Sequence, residues 1–350
     1  MTVKIKILFL ADTHLGFDFP LKPRIKRRRR GNDFFNNYEI ALQAAVEKKV
    51  DLIVHGGDMF YRCRVHPNIV TKAFEPLIKV AEKNIPIFIV PGNHERSWIP
   101  ASIFDRHPLI HIFEKPRTYF LDIKGTKLVL AGFPNVRYGI RDKFKNIVKQ
   151  TTYAGEASDV RLLCLHQIFE GAQVGIQNYT FRKGEDIIQG KDIPGCFNGI
   201  LSGHIHRWQA LKSDLKGNPL AAPVLYPGAI ERTSFVERLE KKGYLIINLV
   251  LPNGAGSTTM NWEFVELPSR PMHVITIDNN LSGKNEIVSF LKNEISRVDP
   301  NSVVKVKLGK NPGKEILPSL SAELLRRIAP STMNIELSLA NQGKLHFAKK

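Results

Sequence analysis

The sequence predicts a layered α/β protein. Short apolar runs recur along the chain, and each ends in a polar or glycine-containing turn, as buried strands do. Helix-forming stretches separate several of these runs, and strands alternating with helices favour stacked layers of sheet and helix. The 350 residues include 43% hydrophobic and 24% charged side chains, which is ordinary for a globular protein and argues against a disordered chain.

The first two-thirds of the chain supplies most of the strand signals. Strands are predicted at 5–10, 52–55, 85–90, 127–131, 161–165 and 200–201. Helices are predicted at 38–49 and 69–83, where helix formers dominate. Further strands are predicted at 223–226, 244–250 and 262–267.

A break at Pro268–Pro271 separates this region from a smaller one. The pattern after it reads strand, helix, strand and helix, at 273–277, 286–297, 303–307 and 321–328. We therefore expect two domains, a large one at 1–268 and a small α/β domain at 271–350.

The lengths of the apolar runs argue against a membrane protein, and the number and spacing of the cysteines argue against a protein held by disulfides or structural zinc. No apolar run approaches the roughly 20 residues of a membrane helix, so we expect no membrane association and a cytoplasmic location. Cys63, Cys164 and Cys196 are odd in number and lack CxxC spacing, which indicates neither a disulfide framework nor a structural zinc site.

The charge balance favours a polyanionic partner. Lysine and arginine total 51 against 33 acidic residues, a formal charge of +18, and nucleic acid is the leading candidate. The sharpest positive cluster is a basic run beginning eight positions after His14, and we interpret it as a contact to the phosphate backbone near a catalytic mouth. Its charged members are Lys22, Arg24, Lys26, Arg27, Arg28, Arg29 and Arg30.

Side chains able to bind metal follow five of the predicted strands. They are Asp12 and His14, then Asp58, then Asn93 and His94, then His166, and finally His204 and His206. In α/β sheets the loops at the carboxyl ends of strands meet at one rim, so these groups can converge. Eight oxygen and imidazole donors are too many for one ion and suit two ions such as manganese, iron, zinc or magnesium. Two ions roughly 3.5–4 Å apart serve phosphoester hydrolysis best.

The ordered motifs resemble the calcineurin-like metallophosphoesterase superfamily. Within it, Asp12-Thr13-His14-Leu15-Gly16, Leu165-His166-Gln167 and the segment from Tyr226 to Phe235 resemble the SbcD nucleases, known in archaea and eukaryotes as meiotic-recombination-eleven proteins. The resemblance implies a sandwich of two mixed β-sheets flanked by helices, followed by a small DNA-capping α/β domain. It also implies a DNA nuclease of double-strand-break repair, with 3′-to-5′ exonuclease action on duplex ends and endonuclease action on single strands.

The same resemblance implies a role for each ligand-type residue. Asp12, His14 and His206 would bind one metal, Asn93, His166 and His204 the other, and Asp58 would bridge them, with Mn²⁺ favoured. His94 would assist the leaving oxygen, which an imidazole can do because it exchanges protons near neutral pH. The implied partners are DNA, an SbcC-type coiled-coil ATPase and a second copy of the chain.

Two departures from the family pattern stand out. Many members carry a second catalytic histidine three residues after the bridging aspartate, where this chain has Tyr61. We expect Tyr61 to contact DNA by hydrogen bonding to phosphate or by stacking on a base, with His66 as an alternative substitute for the missing histidine. The second departure is that little sequence follows the predicted capping domain for binding the coiled-coil ATPase partner.

Two alternative functions remain at this point. The same metals would also serve a phosphoesterase acting on small nucleotides or on phosphoproteins, although such substrates need no large positive field. The chain could instead be a DNA-end-binding scaffold with weak hydrolysis, which Tyr61 alone favours.

Overall fold

The computed structural model describes residues 2–18, 30–95, 107–155, 157–252, 258–277, 281, 283–309 and 320–338. These residues form two compact units, one from the described parts of 2–18 and 31–269 and one from Arg30 with the described parts of 270–338. The change of unit falls within the predicted break. That the two units act as nuclease and DNA cap stays a prediction.

The large unit contains sixteen strands and three α-helices among the residues described. The strands are β1 Val3–Leu10, β2 Leu52–His55, β3 Ile87–Ile89, β4 Ile110–Ile112, β5 Arg117–Ile123, β6 Thr126–Gly132, β7 Val160–Leu165, β8 Ile168–Phe169, β9 Gln173–Val174, β10 Tyr179–Thr180, β11 Ile187–Ile188, β12 Gly199–Ser202, β13 Gln209–Ser213, β14 Pro219–Tyr226, β15 Gly243–Leu251 and β16 Thr259–Glu266. The helices are α1 Gly31–Glu47, α2 Pro67–Ala81 and α3 Ile140–Gln150.

Two six-stranded mixed sheets form the centre of this unit. The first has the order β16-β15-β1-β2-β3-β4, with β1 to β4 parallel and β15 antiparallel to β1. The second has the order β13-β14-β12-β7-β6-β5, with a parallel centre and antiparallel edge strands β13 and β5. The predicted sandwich of two mixed sheets is confirmed.

The alternating direction of side chains along β1 explains how the layers of the large unit pack. Ile5, Ile7 and Phe9 point into the apolar space between the sheets, while Leu8 and Leu10 pack with α1 and α2 on the outer face. The outer face of the second sheet packs against the apolar side of α3. The order of layers is therefore helix, sheet, sheet, helix, and every central strand is covered on both faces.

The small unit is a three-stranded parallel sheet with two described helices. Its elements are β17 Met272–Ile277, α4 Lys284–Ser296, β18 Val303–Leu308, α5 Ala322–Ile328 and β19 Asn334–Ser338. The strand order is β17-β18-β19, and apolar residues of α4 and α5 pack with the sheet. The predicted α/β pattern is confirmed, and β19 is a strand that the sequence did not predict.

Other differences lie at element ends and sheet edges. Helix α1 begins at Gly31 rather than at residue 38, because Phe34 and Phe35 continue the buried face of the helix. Strand β5 and helix α3 were not predicted, since each has only intermittent apolar residues. The membrane and cysteine expectations concern other features of the fold. No described helix has both the length and the hydropathy to cross a membrane. Cys164 is a buried free thiol, and Cys63 and Cys196 are exposed ones.

Candidate metal centre

The carboxyl ends of five strands deliver ligand-type side chains to one rim of the sandwich. Strands β1, β2 and β3 of the first sheet lead to Asp12, Asp58 and Asn93, while β7 and β12 of the second sheet lead to His166 and His204. Parallel strand ends of the same direction lie side by side within each sheet. The structure thus brings together all eight residues predicted from the sequence.

One group gathers around His206. Its Nε2 atom lies 2.9 Å from Nε2 of His14 and 3.8 Å from Oδ1 of Asp12. Ligand atoms of all three side chains lie within 4.8 Å of one another, close enough to share one cation. The side chain of Asp12 is fully buried, whereas that of His206 is 25% exposed, so this group is reached from the rim.

A second group gathers around Asn93. Its Oδ1 atom lies 2.8 Å from Nδ1 of His204 and 3.0 Å from Nε2 of His166, and those two nitrogens are 3.2 Å apart. Ligands that each stand about 2.1 Å from a first-row metal ion are themselves separated by about 3 Å. The spacing of these three atoms matches that of a cation's ligand set.

Asp58 lies between the two groups. Its Oδ2 atom is 3.5 Å from Nε2 of His166, and it shares one candidate cation site with Asp12 and His166 and another with His14 and His94. Burial opposes its charge, yet the neighbouring imidazoles, His166 above all, hold the pKa of the Asp58 carboxyl well below its usual value. An ionised carboxylate in this position can bind a cation on either side.

The donor set fits divalent cations. Burial raises the pKa of Asp12 to about 6 and lowers the pKa of His14 well below its usual value. Nδ1 of His14 is buried without a hydrogen-bond partner. A concentration of buried carboxylates and imidazoles is costly by itself and becomes favourable around positive ions, which prefer ionised carboxylates and neutral imidazoles. Oxygen and nitrogen donors without thiolate suit Mn²⁺, Fe²⁺ or Zn²⁺.

The backbone of these loops adopts an uncommon conformation. Asp12, His14, Asp58 and His204 have positive φ angles of 52°, 42°, 52° and 83°. Such residues cost on the order of 1–3 kcal/mol each and persist only where the surroundings hold them. The close approach of ligand atoms from separate strands supplies a reason for the strain.

Glycine is required at positions beside the ligands for two different physical reasons. Gly57 has a φ of 105°, a left-handed backbone conformation that glycine adopts without steric cost. Gly92 and Gly203 do not have positive φ angles; a Cβ at Gly92 would collide with the Asp58 carboxylate, and one at Gly203 with the Gly56 carbonyl. At those two positions lack of space, and not backbone freedom, requires glycine.

A second layer of hydrogen bonds orients the imidazoles. His166 donates from Nδ1 to the Gly56 carbonyl oxygen at 2.7 Å, which directs Nε2 toward the centre. Nδ1 of His206 lies 3.1 Å from Oε1 of Glu237, and the buried Lys242 ammonium lies 2.7 Å from Oε2 of the same carboxylate. Burial opposes the charge on Glu237, but the His206 hydrogen bond and then Lys242 keep the pKa of that carboxyl well below its usual value.

Replacing Glu237 by glutamine is expected to weaken Mn²⁺ binding by roughly 10- to 100-fold, because His206 loses the carboxylate that sets its tautomer and basicity. Titration of the purified variant with Mn²⁺ measures this. Glu240→Gln is the matched control, since Glu240 pairs with Arg207 and Lys242 rather than with His206. Equal Mn²⁺ affinities for the two variants would contradict the role of Glu237.

Glu95 supports the centre, although no role for it was predicted from the sequence. Its carboxylate is buried and accepts hydrogen bonds from the backbone N–H groups of Phe60 at 2.6 Å and of Gly92 at 2.8 Å. It thereby ties the loop after β2 to the loop after β3. Burial, and then the charge of Asp58, raises the pKa of Glu95 to about 8.

His94 and Tyr61 stand at the open side of the centre. His94 donates from Nδ1 to the Tyr61 carbonyl oxygen at 2.7 Å, so its Nε2 atom, 3.8 Å from Oδ2 of Asp58, faces the centre with the side chain 34% exposed. The Tyr61 ring centroid lies 5.8 Å from that of His94 and 6.0 Å from that of His14. His66 instead accepts a hydrogen bond from the Asn68 N–H as the N-cap of α2.

Most of the basic run lies outside the described residues. Lys22, Arg24, Lys26, Arg27, Arg28 and Arg29 belong to that segment, and Arg30 is described directly before α1. Their contact with phosphate stays a prediction.

Comparison with known proteins places the chain among metal-dependent phosphoesterases. The family model for calcineurin-like phosphoesterases matches residues 5–208. The DNA double-strand break repair protein Mre11 of Saccharolobus solfataricus is 25% identical over 341 residues, covering 93% of this chain and 82% of that protein. The protein of the same name from Archaeoglobus fulgidus is 24% identical, covering 92% and 72%, and that from Methanosarcina acetivorans is 27% identical, covering 89% and 47%.

Proposed function

Because the chain belongs to the calcineurin-like phosphoesterase family, we propose that its centre is a two-metal site that hydrolyses the phosphodiester backbone of DNA. The observation that carries the proposal is the convergence of the Asn93 group and the His206 group on either side of Asp58. The family makes the chain a metal-dependent phosphodiester hydrolase, and the DNA substrate is the proposed part.

We assign the ligands as the geometry groups them. Asp12, His14 and His206 would hold one ion, Asn93, His166 and His204 would hold the other, and Asp58 would contribute to both. When bound, two divalent ions would polarise the phosphodiester and make a water molecule more acidic at neutral pH. Mn²⁺ is the proposed metal.

His94 performs the proton step at the leaving group. Its Nδ1 proton is committed to the Tyr61 carbonyl oxygen, so the exposed Nε2 atom is the one that can give a proton to the departing oxygen. Tyr61 lies next to it and offers a hydroxyl and an aromatic face to a nucleotide at the mouth of the site.

Charge supports DNA as the substrate. The formal charge of +18 and the basic run after His14 favour a long polyanion, for which each neutralised phosphate releases counterions. Similarity to three archaeal Mre11 proteins over about nine-tenths of this chain supports the same substrate. A small phosphoester would gain little from such an extended field.

Finer properties follow the resemblance. We propose 3′-to-5′ exonuclease action on duplex ends, endonuclease action on single strands, an SbcC-type ATPase partner, a homodimer and a cytoplasmic location. Residues 271–350 are the proposed DNA cap.

The proposal predicts cleavage of end-labelled duplex and single-stranded DNA in Mn²⁺, with loss of cleavage in EDTA and recovery when Mn²⁺ is added back. Product lengths on a denaturing gel measure it. Cleavage is expected to fall with rising salt, because binding through phosphate contacts is salt-dependent. A small phosphodiester assayed with and without competitor DNA is the control.

Two outcomes would contradict the proposal. Rapid hydrolysis of the small phosphodiester, unaffected by competitor DNA, would favour the nucleotide or phosphoprotein phosphoesterase. Tight binding to DNA ends without cleavage in any metal would favour the scaffold.

A further inference from the structure

A buried hydrogen-bonded pair, Thr13 and His55, lies directly behind the metal loops. Both side chains are buried, with 0% and 1% of their surface exposed. Neither side chain belongs to the ligand groups described above. Thr13 stands between the ligands Asp12 and His14, and His55 is the last residue of β2, three positions before Asp58.

The hydrogen bonds of this pair run in one consistent direction. The Gly57 N–H donates to Nδ1 of His55 at 3.2 Å, which requires that Nδ1 carry no proton. Nε2 of the neutral ring therefore carries the hydrogen, and it lies 3.0 Å from Oγ1 of Thr13. The Thr13 hydroxyl is free to accept there because its own proton goes to the Met59 carbonyl oxygen at 3.0 Å.

The burial of His55 is consistent with a neutral ring. It lowers the pKa of His55 to about 3, so the ring is neutral in the folded protein. Each polar side-chain atom of the pair then has a partner of the right kind, and a fully satisfied buried network holds its members rigidly.

The network joins the two loops that supply three of the ligands. Backbone bonds run in parallel between them, from Asp12 N–H to the Gly57 carbonyl at 2.8 Å and from His14 N–H to the Asp58 carbonyl at 3.0 Å. The pair adds a side-chain cross-link between these rungs. The joined residues include Asp12, His14 and Asp58, which have positive φ angles, so their strained backbone is held from both sides.

We propose that Thr13 and His55 form a positioning pair that holds the loops of Asp12, His14 and Asp58 in the geometry that binds metal. The inference rests on the proposed metal centre and adds two residues to it that contact neither substrate nor metal. Their contribution is to metal affinity, in addition to any contribution to folding.

The test compares Mn²⁺ affinity with folding in the purified full chain. Thr13→Val removes the hydroxyl with little change of shape, Thr13→Ser keeps it, and His55→Leu removes both ring nitrogens. Thr151→Val is the matched control, because Thr151 is also fully buried and bonds through Oγ1 to a carbonyl oxygen, that of Val148, at the end of α3. Mn²⁺ titration gives the affinity, and thermal unfolding in EDTA gives the stability without metal.

We expect Thr13→Val and His55→Leu each to weaken Mn²⁺ binding by about tenfold or more, in the range seen for residues that support metal ligands. Thr13→Ser and Thr151→Val should bind Mn²⁺ as the unaltered chain does. The double variant Thr13→Val with His55→Leu should bind Mn²⁺ no more weakly than the single variant with the lower Mn²⁺ affinity, because the two residues act as one unit.

A folded Thr13→Val variant with unaltered Mn²⁺ affinity would overturn the inference, even if its unfolding temperature fell. If His55→Leu does not fold, the comparison of Thr13→Val with Thr13→Ser decides. Since binding is measured without DNA, an unaltered chain that binds Mn²⁺ but leaves DNA intact overturns the proposed substrate and not the positioning pair. An unaltered chain that binds no Mn²⁺ overturns both.

Discussion

Replacing His94 by alanine is expected to reduce DNA cleavage by roughly 10²- to 10⁴-fold while leaving Mn²⁺ affinity unchanged. The reason is the placement of the ring: Nδ1 is held by the Tyr61 carbonyl oxygen, and the accessible Nε2 atom faces the centre beside Asp58. Loss of this group removes the proton donor for the departing oxygen and removes no assigned ligand. Single-turnover cleavage of end-labelled DNA and Mn²⁺ titration together measure the two effects.

His66→Ala is the control for this experiment. His66 caps α2 and is the alternative substitute for the second histidine of related nucleases, so retained cleavage in His66→Ala removes that alternative. Loss of Mn²⁺ binding in His94→Ala would identify His94 as a ligand, which the candidate group of His14, Asp58 and His94 permits geometrically. Full cleavage by His94→Ala would contradict any role for it in the reaction.

Replacing Asp58 by asparagine is expected to reduce cleavage by about 10³-fold or more and to weaken binding of both ions. Asparagine keeps the size of the side chain. It also keeps an oxygen that can accept the hydrogen bond from the backbone N–H of His94, whose nitrogen lies 2.9 Å from Oδ1 of Asp58. It removes the negative charge between the two ligand groups, and metal ions contribute several kcal/mol to the stabilisation of a phosphoester transition state. The number of Mn²⁺ ions bound per chain, together with the rate of cleavage, measures the effect.

Asp51→Asn is the matched control for charge removal. Asp51 precedes β2 at the opposite end of the strand, and its carboxylate pairs with Lys124 at 2.7 Å. That variant should cleave DNA and bind Mn²⁺ as the unaltered chain does. Retention of two Mn²⁺ ions and of cleavage by Asp58→Asn would contradict the bridging role.

Central strands of the two large sheets were predictable, whereas several edge strands, such as β5, were not, for a physical reason. Strand β2 is buried on both faces, so Leu52–His55 forms a continuous apolar run whose bounds match the prediction. Strand β5, Arg117–Ile123, is an edge strand with exposed and half-buried residues in mixture, and it carries no comparable run. Helix α3 buries only Ile140, Phe144 and Val148, too few to stand out from its charged residues.

The ligand-type residues were recognisable from the sequence because each follows a strand directly. Several supporting contacts instead join residues that are distant along the chain and have no such marker. Glu237 lies 31 positions from His206, and His55 lies 42 positions from Thr13. The motif resembling SbcD nucleases ends at Phe235, two residues before Glu237, and was the nearest available signal.

The amino-acid sequence was sufficient for the α/β class, the strand ends that carry ligands and the family resemblance, because local apolar runs and adjacent polar residues are properties of short segments. The resemblance already implied which imidazoles group with Asn93 and which with Asp12, whereas the supporting contacts of Glu237 and of the pair Thr13 and His55 emerged only from the folded structure. Those contacts depend on the packing of one sheet against the other and on loops with positive φ angles. Contacts between side chains from different strands arise only when the chain has folded, so no pattern within a single segment contains them.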